Sequence, residues 1–153
     1  MEQAVKVDPA AQGISLAGTP VLSLGRYDTV LAACEGFGAR VKVYYEGGEN
    51  ATHTHLKEDH LFFVLAGQAT FHLGRDGEEV KVANRFEGVL LPRGSYYRFE
   101  SSGDENLVML RVGAWSADDR ERTGPDGLPL AGRDPRNKHI DGVSIPGKYF
   151  VAP

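Results

Sequence analysis

Cysteine is nearly absent from this sequence: Cys34 is the only one among 153 residues. A lone cysteine closes no internal disulfide, so the fold must rest on a buried core, which a chain of this length can supply. Long hydrophobic runs are missing as well. No apolar stretch approaches the ~20 residues that cross a bilayer as a helix. The polar start MEQAVKVDPAAQG, with Pro9, lacks the basic-then-apolar pattern of a signal segment. Basic stripes are absent too. Lysine and arginine number 17 against 21 acidic residues, a net charge of −4, which argues against nucleic acid or an anionic membrane as partner. The expectation is a cytoplasmic, single-domain protein that acts on a small molecule.

Helical periodicity is the next absence. Only Ser116–Arg122 (SADDRER) suggests a turn or two of helix, with Ser116 as N-cap and Asp118 and Asp119 in the first turn. What the sequence does hold is a series of short runs rich in Val, Leu, Phe and Tyr, punctuated by 19 glycines and 8 prolines. They predict strands at Thr29–Ala33, Ala39–Tyr45, Ala51–His55, His60–Leu65, Gln68–Leu73, Glu79–Ala83, Gly88–Leu91, Tyr96–Ser101 and Asn106–Val112. Turn signals separate them at Gly47-Gly48, Ala66-Gly67, Arg75-Asp76-Gly77, Pro92-Arg93-Gly94 and Ser102-Gly103-Asp104. Many short strands with frequent turns give an all-β class, a sandwich or barrel. No internal repeat is visible. The expected division is an N-terminal segment over 1–28, a barrel core over 29–114 and an irregular arm over 115–153. The arm carries five prolines and little strand pattern, yet it holds Ile140, Val143, Ile145, Tyr149, Phe150 and Val151. So apolar a segment predicts an ordered arm packed on the barrel or on a second subunit.

Three of the five histidines, His53, His55 and His60, fall within eight residues. In a strand, residues two apart share a face, ~6.6 Å apart; in a helix they diverge. If Leu56–Asp59 (LKED) forms a four-residue hairpin loop, His55 stands directly opposite His60. All three imidazoles then reach one point, and imidazole nitrogen binds zinc, iron, copper or nickel. His72, in TFHLG, reads as a hydrogen-bonded strand histidine, and His139 is assigned no role.

The stretch GGENATHTHLKEDHLFFVLAG (47–67) resembles the first motif of the cupin superfamily: a glycine, five residues, His-x-His, three or four residues, a glutamate, six residues and a glycine. Gly47, His53, His55 and Gly67 match. His60 stands where the motif places its glutamate, and a shift by one offers Asp59 instead. The stretch GVLLPRGSYYRFES (88–101) is similar to the second motif, with Gly88, Pro92 and Gly94 in place. Tyr97 occupies the usual histidine position, and Ser101 the usual asparagine position. The resemblance implies a single cupin barrel, a double-stranded β-helix or jelly roll, over about Ala39–Gly113, with a metal at its mouth and dimerisation as in many relatives.

The metal implied is a divalent transition ion held by His53, His55 and His60, with Fe(II) favoured and Zn, Mn, Ni or Cu as alternatives. Three neutral imidazoles without the carboxylate would leave a strongly electropositive, open centre suited to a chelating, oxygen-rich substrate. Three-histidine iron sites in cupins resemble those of oxygen-using dioxygenases, so oxidative cleavage is the first functional expectation. A Lewis-acid isomerase, lyase or cyclase, or a non-enzymatic binding protein, is the alternative. Tyr97 is the candidate catalytic residue: its phenol can hydrogen-bond a bound oxygen, ligate weakly or act as a general acid; the alternative is a barrel-filling aromatic ring. Arg40, Lys42, Arg98 and Arg111 are candidate anion-binding groups if they point inward.

Overall fold

The computed structural model describes residues 10–46, 50–116, 121–130 and 139–153. These residues form no helix; they form strands in antiparallel sheets. The larger sheet runs β11 (Val143–Tyr149), β1 (Pro20–Cys34), β2 (Phe37–Tyr45), β9 (Leu107–Trp115), β4 (Glu58–Ala66), β7 (Gly88–Leu91). Facing it is β6 (Glu79–Ala83), β5 (Ala69–Leu73), β8 (Tyr97–Ser101), and a short ribbon pairs β3 (Thr54–His55) with β10 (Arg122–Thr123). This is the all-β jelly roll expected from the sequence. The predicted Gly47-Gly48 turn and most of the predicted helix over Ser116–Arg122 lie outside the described residues, and Arg122 itself opens β10.

Alternation along the central strands sorts the side chains. Arg40, Lys42 and Tyr44 of β2 face the barrel interior, and Val41 and Val43 face away. The interior core is aromatic: Phe62, Phe71, Phe99, Tyr44 and Tyr97, with Val64, Leu91, Leu107 and Met109. Tyr44 meets Phe99 edge-on at 4.9 Å between ring centres, an arrangement that the ring quadrupoles favour. The outer face of the larger sheet carries a second core. There Val41, Val43 and Val108 are covered by Leu22, Leu16 and Phe150, which come from the two ends of the chain.

Two strand predictions need correcting. β1 starts at Pro20, well before Thr29, because it changes partner at Gly25. Its first part pairs with β11 and the rest with β2. Gly25 has φ +81°, and a Cβ there would lie 2.5 Å from the Asp141 carbonyl oxygen. Only glycine allows residues 139–142 to cross so close, where Arg26 N–H donates to the Ile140 carbonyl at 3.0 Å. β11 was not predicted at all. It is an edge strand, exposed along most of its length, with Pro146 and Gly147 inside it, so it shows no alternation to read. No helix among the described residues is long and apolar enough to cross a membrane.

Candidate metal centre

The predicted hairpin does not form. β4 begins at Glu58, so half of the supposed loop is strand, and β3 pairs with β10 rather than with β4. His60 instead stands opposite Leu91 on one side and Gly113 on the other. The histidines still converge. The His55 and His60 rings lie 4.5 Å apart between centres, and His53 and His55 lie 5.1 Å apart.

The shift of β4 brings in a group that the motif alignment missed. Glu58 and His60, two apart in one strand, point to the same face. Glu58 Oε2 lies 3.2 Å from His55 Nδ1 and 3.5 Å from His60 Nε2. Donor atoms of His55, Glu58 and His60 all lie within 4.8 Å of one another. Two ligands of one transition ion, each at ~2.0–2.2 Å, stand at most roughly 4.3 Å apart, so small inward shifts complete the set. Asp59 points the opposite way. It is clamped by Arg93 of the Pro92-Arg93-Gly94 turn, with Nη2 to Oδ2 at 2.8 Å and the backbone N–H donating to Oδ1 at 2.8 Å. The carboxylate of the site is therefore Glu58. The expectation of a centre without a carboxylate is corrected by the strand register.

His53 belongs to the same cluster but not to this trio. Its backbone exchanges two hydrogen bonds with Tyr97, N–H to carbonyl at 3.0 and 2.9 Å. Its Nδ1 lies 2.6 Å from the Ala51 carbonyl, which assigns the proton to that nitrogen. The second motif supports the first: Gly94 N–H donates to the His55 carbonyl at 2.9 Å. Tyr97 is buried at 4% exposure, with its hydroxyl 3.4 Å from His60 Nδ1 and its ring 4.6 Å from that of His53.

Burial pulls the His53 imidazole down to about 3 and the His60 imidazole down to about 4, so both are neutral at physiological pH. Burial alone would raise the Glu58 carboxyl, but hydrogen bonds to His55 and His60 overcome it and hold the group well below the usual carboxylate range. Burial pushes the Tyr97 phenol far above its ordinary value, keeping it protonated. A deprotonated carboxylate beside neutral imidazole is the state that metal binding requires, so the residues present fit a divalent ion.

Gly113 sets how close β9 comes to this site. A Cβ there would lie 3.3 Å from His60 Cδ2, tighter than ordinary contact, and 3.6 Å from its Nε2. Gly113→Ala is therefore expected to tilt the His60 ring and weaken metal affinity about tenfold, the scale of other changes that reorient a ligand. A metal titration of the folded variant checks this.

His55 and Glu58 of the trio, with His53, line a cavity of about 360 Å³ whose wall also includes Tyr44, Asn50, Phe62 and Tyr97. Arg40, Lys42 and Arg111 line it, and so do Arg26 and Arg122, which were not among the expected anion-binding groups; Arg98 is not among its lining residues. His72 contacts Glu100 at 3.1 Å, as a satisfied strand histidine, and His139 lies against Arg26 at the arm crossing.

Comparison with known proteins bears on the fold. No protein of curated function matches the chain. Among solved structures, KdgF from Halomonas sp. superposes with a TM-score of 0.54 at 16% identity, over 62% of this chain and 83% of that one. A conserved protein of unknown function from Streptococcus pyogenes gives 0.57 at 16% identity, over 76% and 97%. A protein provisionally described as a sugar phosphate isomerase, from Acidithiobacillus ferrooxidans ATCC 23270, gives 0.57 at 21% identity, over 66% and 65%. These likenesses are of fold. Residues 41–113, which include every donor of the cluster, match the Cupin domain family, and the barrel they form is a cupin domain.

Proposed function

We propose that the protein is a metal-dependent cupin enzyme of the dioxygenase type, cleaving a small, chelating, oxygen-rich organic substrate. The observation that carries this reading is the donor set: two imidazoles and one carboxylate, His55, His60 and Glu58, of which His55 and Glu58 line a cavity. Two histidines and a carboxylate that leave coordination positions open are the usual protein ligands of non-haem Fe(II) in oxygenases. Once bound, such an ion supplies Lewis acidity and, as iron, access to O₂ chemistry.

The rest is the work of the chain. Glu58 offsets one unit of the ion's charge and orients His55 and His60 through its own contacts with them. Phe62 and Phe99 give the cavity apolar wall that limits water. Tyr97 is the candidate catalytic residue. Its protonated phenol is a hydrogen-bond donor beside His60, placed to hold a substrate oxygen. His53 backs this wall and stands as a further candidate ligand at the same point.

Tyr97 also favours a second reading. A neutral phenol next to a Lewis acid is suited to passing a proton to an enolate, as an isomerase or lyase requires. One experiment separates the two. Metal content is measured on the purified protein, and O₂ uptake is followed with diketones, catechols and phenylpropanoid acids under iron-replete conditions. Dioxygenase action consumes O₂ in step with substrate. Turnover that continues without O₂ supports the Lewis-acid reading. A protein that never holds stoichiometric metal would remove both.

A further inference from the structure

The cavity is unbalanced in charge. Arg26, Arg40, Lys42, Arg111 and Arg122 line it against two carboxylates, Asp28 and Glu58, a formal excess of three positive charges. Both acids are committed elsewhere. Asp28 takes Arg40 Nε at 2.6 Å and Lys42 Nζ at 2.7 Å. Glu58 turns to His55 and His60. Among the described residues, no carboxylate lies within ion-pairing distance of Arg111 or Arg122.

These two guanidinium groups approach the metal trio from different sides. Arg111, on β9, places Nη1 3.4 Å from His60 Nε2, and its buried Nε has no hydrogen-bond partner. Arg122, on β10, sits directly across from His55 in the β3–β10 ribbon. Burial lowers the proton affinity of Arg122, and the nearby Arg26 guanidinium lowers it further, as expected where cations share one space. Even partial burial of a cation without a carboxylate partner is costly, and a protein tolerates it where a ligand supplies the counter-charge. Tyr44 and Asn50 add polar groups to the same wall.

We propose that the substrate carries an anionic group, a carboxylate or a phosphate, and that Arg122 is the specificity-determining residue that holds it. The planar fork of guanidinium donors matches both groups in two-point fashion. The inference rests on reading this cavity as the substrate site. It also places the selecting residue outside residues 41–113, on a segment that the Cupin domain family does not cover.

The test is calorimetric titration of the full chain, metal-free and zinc-loaded, with succinate, with inorganic phosphate and with uncharged succinamide. At least one anion should bind in both forms, succinamide at least tenfold more weakly, and the better anion identifies the group as carboxylate or phosphate. Arg122→Gln should weaken anion binding at least tenfold with zinc stoichiometry and thermal midpoint unchanged. Arg122→Lys should recover part of the loss, and Arg98→Gln, away from the cavity, none should be lost. Equal binding of succinate and succinamide, no binding of either anion, or unchanged binding in Arg122→Gln overturns the inference. Anion binding in a protein that retains no zinc would leave it standing while the metal reading falls; stoichiometric zinc without anion binding would do the reverse.

Discussion

Glu58→Gln is expected to strip the protein of its metal. The substitution keeps the shape of the side chain and removes its charge, so the trio loses its only anion. His55 and His60 also lose the carboxylate oxygen that lies 3.2 and 3.5 Å from their ring nitrogens. Loss of outer partners alone costs 10–100-fold in metal affinity, so loss of a direct anionic ligand should cost about 100-fold or more. His55→Ala and His60→Ala should do the same. Asp59→Asn should not, because that carboxylate faces Arg93 on the other side of the strand. His53→Ala discriminates: retained metal limits the ligands to the trio, and lost metal adds His53 as a fourth. Metal content after dialysis against a weak chelator reads all of these. The same experiment run against pH has a definite sign. A proton competes with the ion only below a ligand's own pKa, so the contribution of His60 should persist at neutral pH and be lost as the pH falls through about 4, where His60 takes up a proton. Full occupancy in Glu58→Gln would return the site to histidines alone.

Phe71→Ala carries the second large effect, on stability. Phe71 is fully buried, with ring centres 5.8 Å from Phe62 and 5.5 Å from Phe99. Truncating such a ring removes its burial and leaves a void that neighbouring strands cannot close, a loss of about 3–5 kcal/mol. Against a total stability of roughly 5–15 kcal/mol this is a large share, and the thermal midpoint should fall by about 10 °C. Phe62 belongs to the same cluster and also lines the cavity, so slack behind it reaches the site. Urea denaturation with excess metal and again with chelator separates the two consequences: the core loss appears in both, and any extra loss in metal means a loosened site. An unchanged midpoint would mean that the interior repacks around the gap.

Most of the barrel was legible in the sequence because its central strands are buried on regular faces. The expected strands Ala39–Tyr45 and His60–Leu65 fall within β2 and β4, inside the larger sheet. The failures occur where burial does not alternate. β11 lies along an edge, and the first part of β1 pairs with it rather than with β2. The site was legible in the same measure. Two-residue spacing placed His53 and His55 near each other, and the second motif placed Tyr97 among them. Glu58 was missed because a polar Leu56–Asp59 reads as a loop, yet its signal was available: Glu58 and His60 have the same two-residue spacing as His53 and His55. Arg122 left no such signal, because β10 is two residues long and its placement depends on pairing with β3.

The larger sheet has apolar residues packed on both of its faces, and this bears on how the protein can be cut. The stretch that matches the Cupin domain family contains β4 and most of β2 and β9 but not Leu16, Leu22 or Phe150, which shield Val41, Val43 and Val108 from water. Excised at those limits, the fragment would present a greasy outer wall, self-associate, and leave behind Arg122. For this chain the stretch shared with the family is shorter than the stretch needed to cover its own sheet.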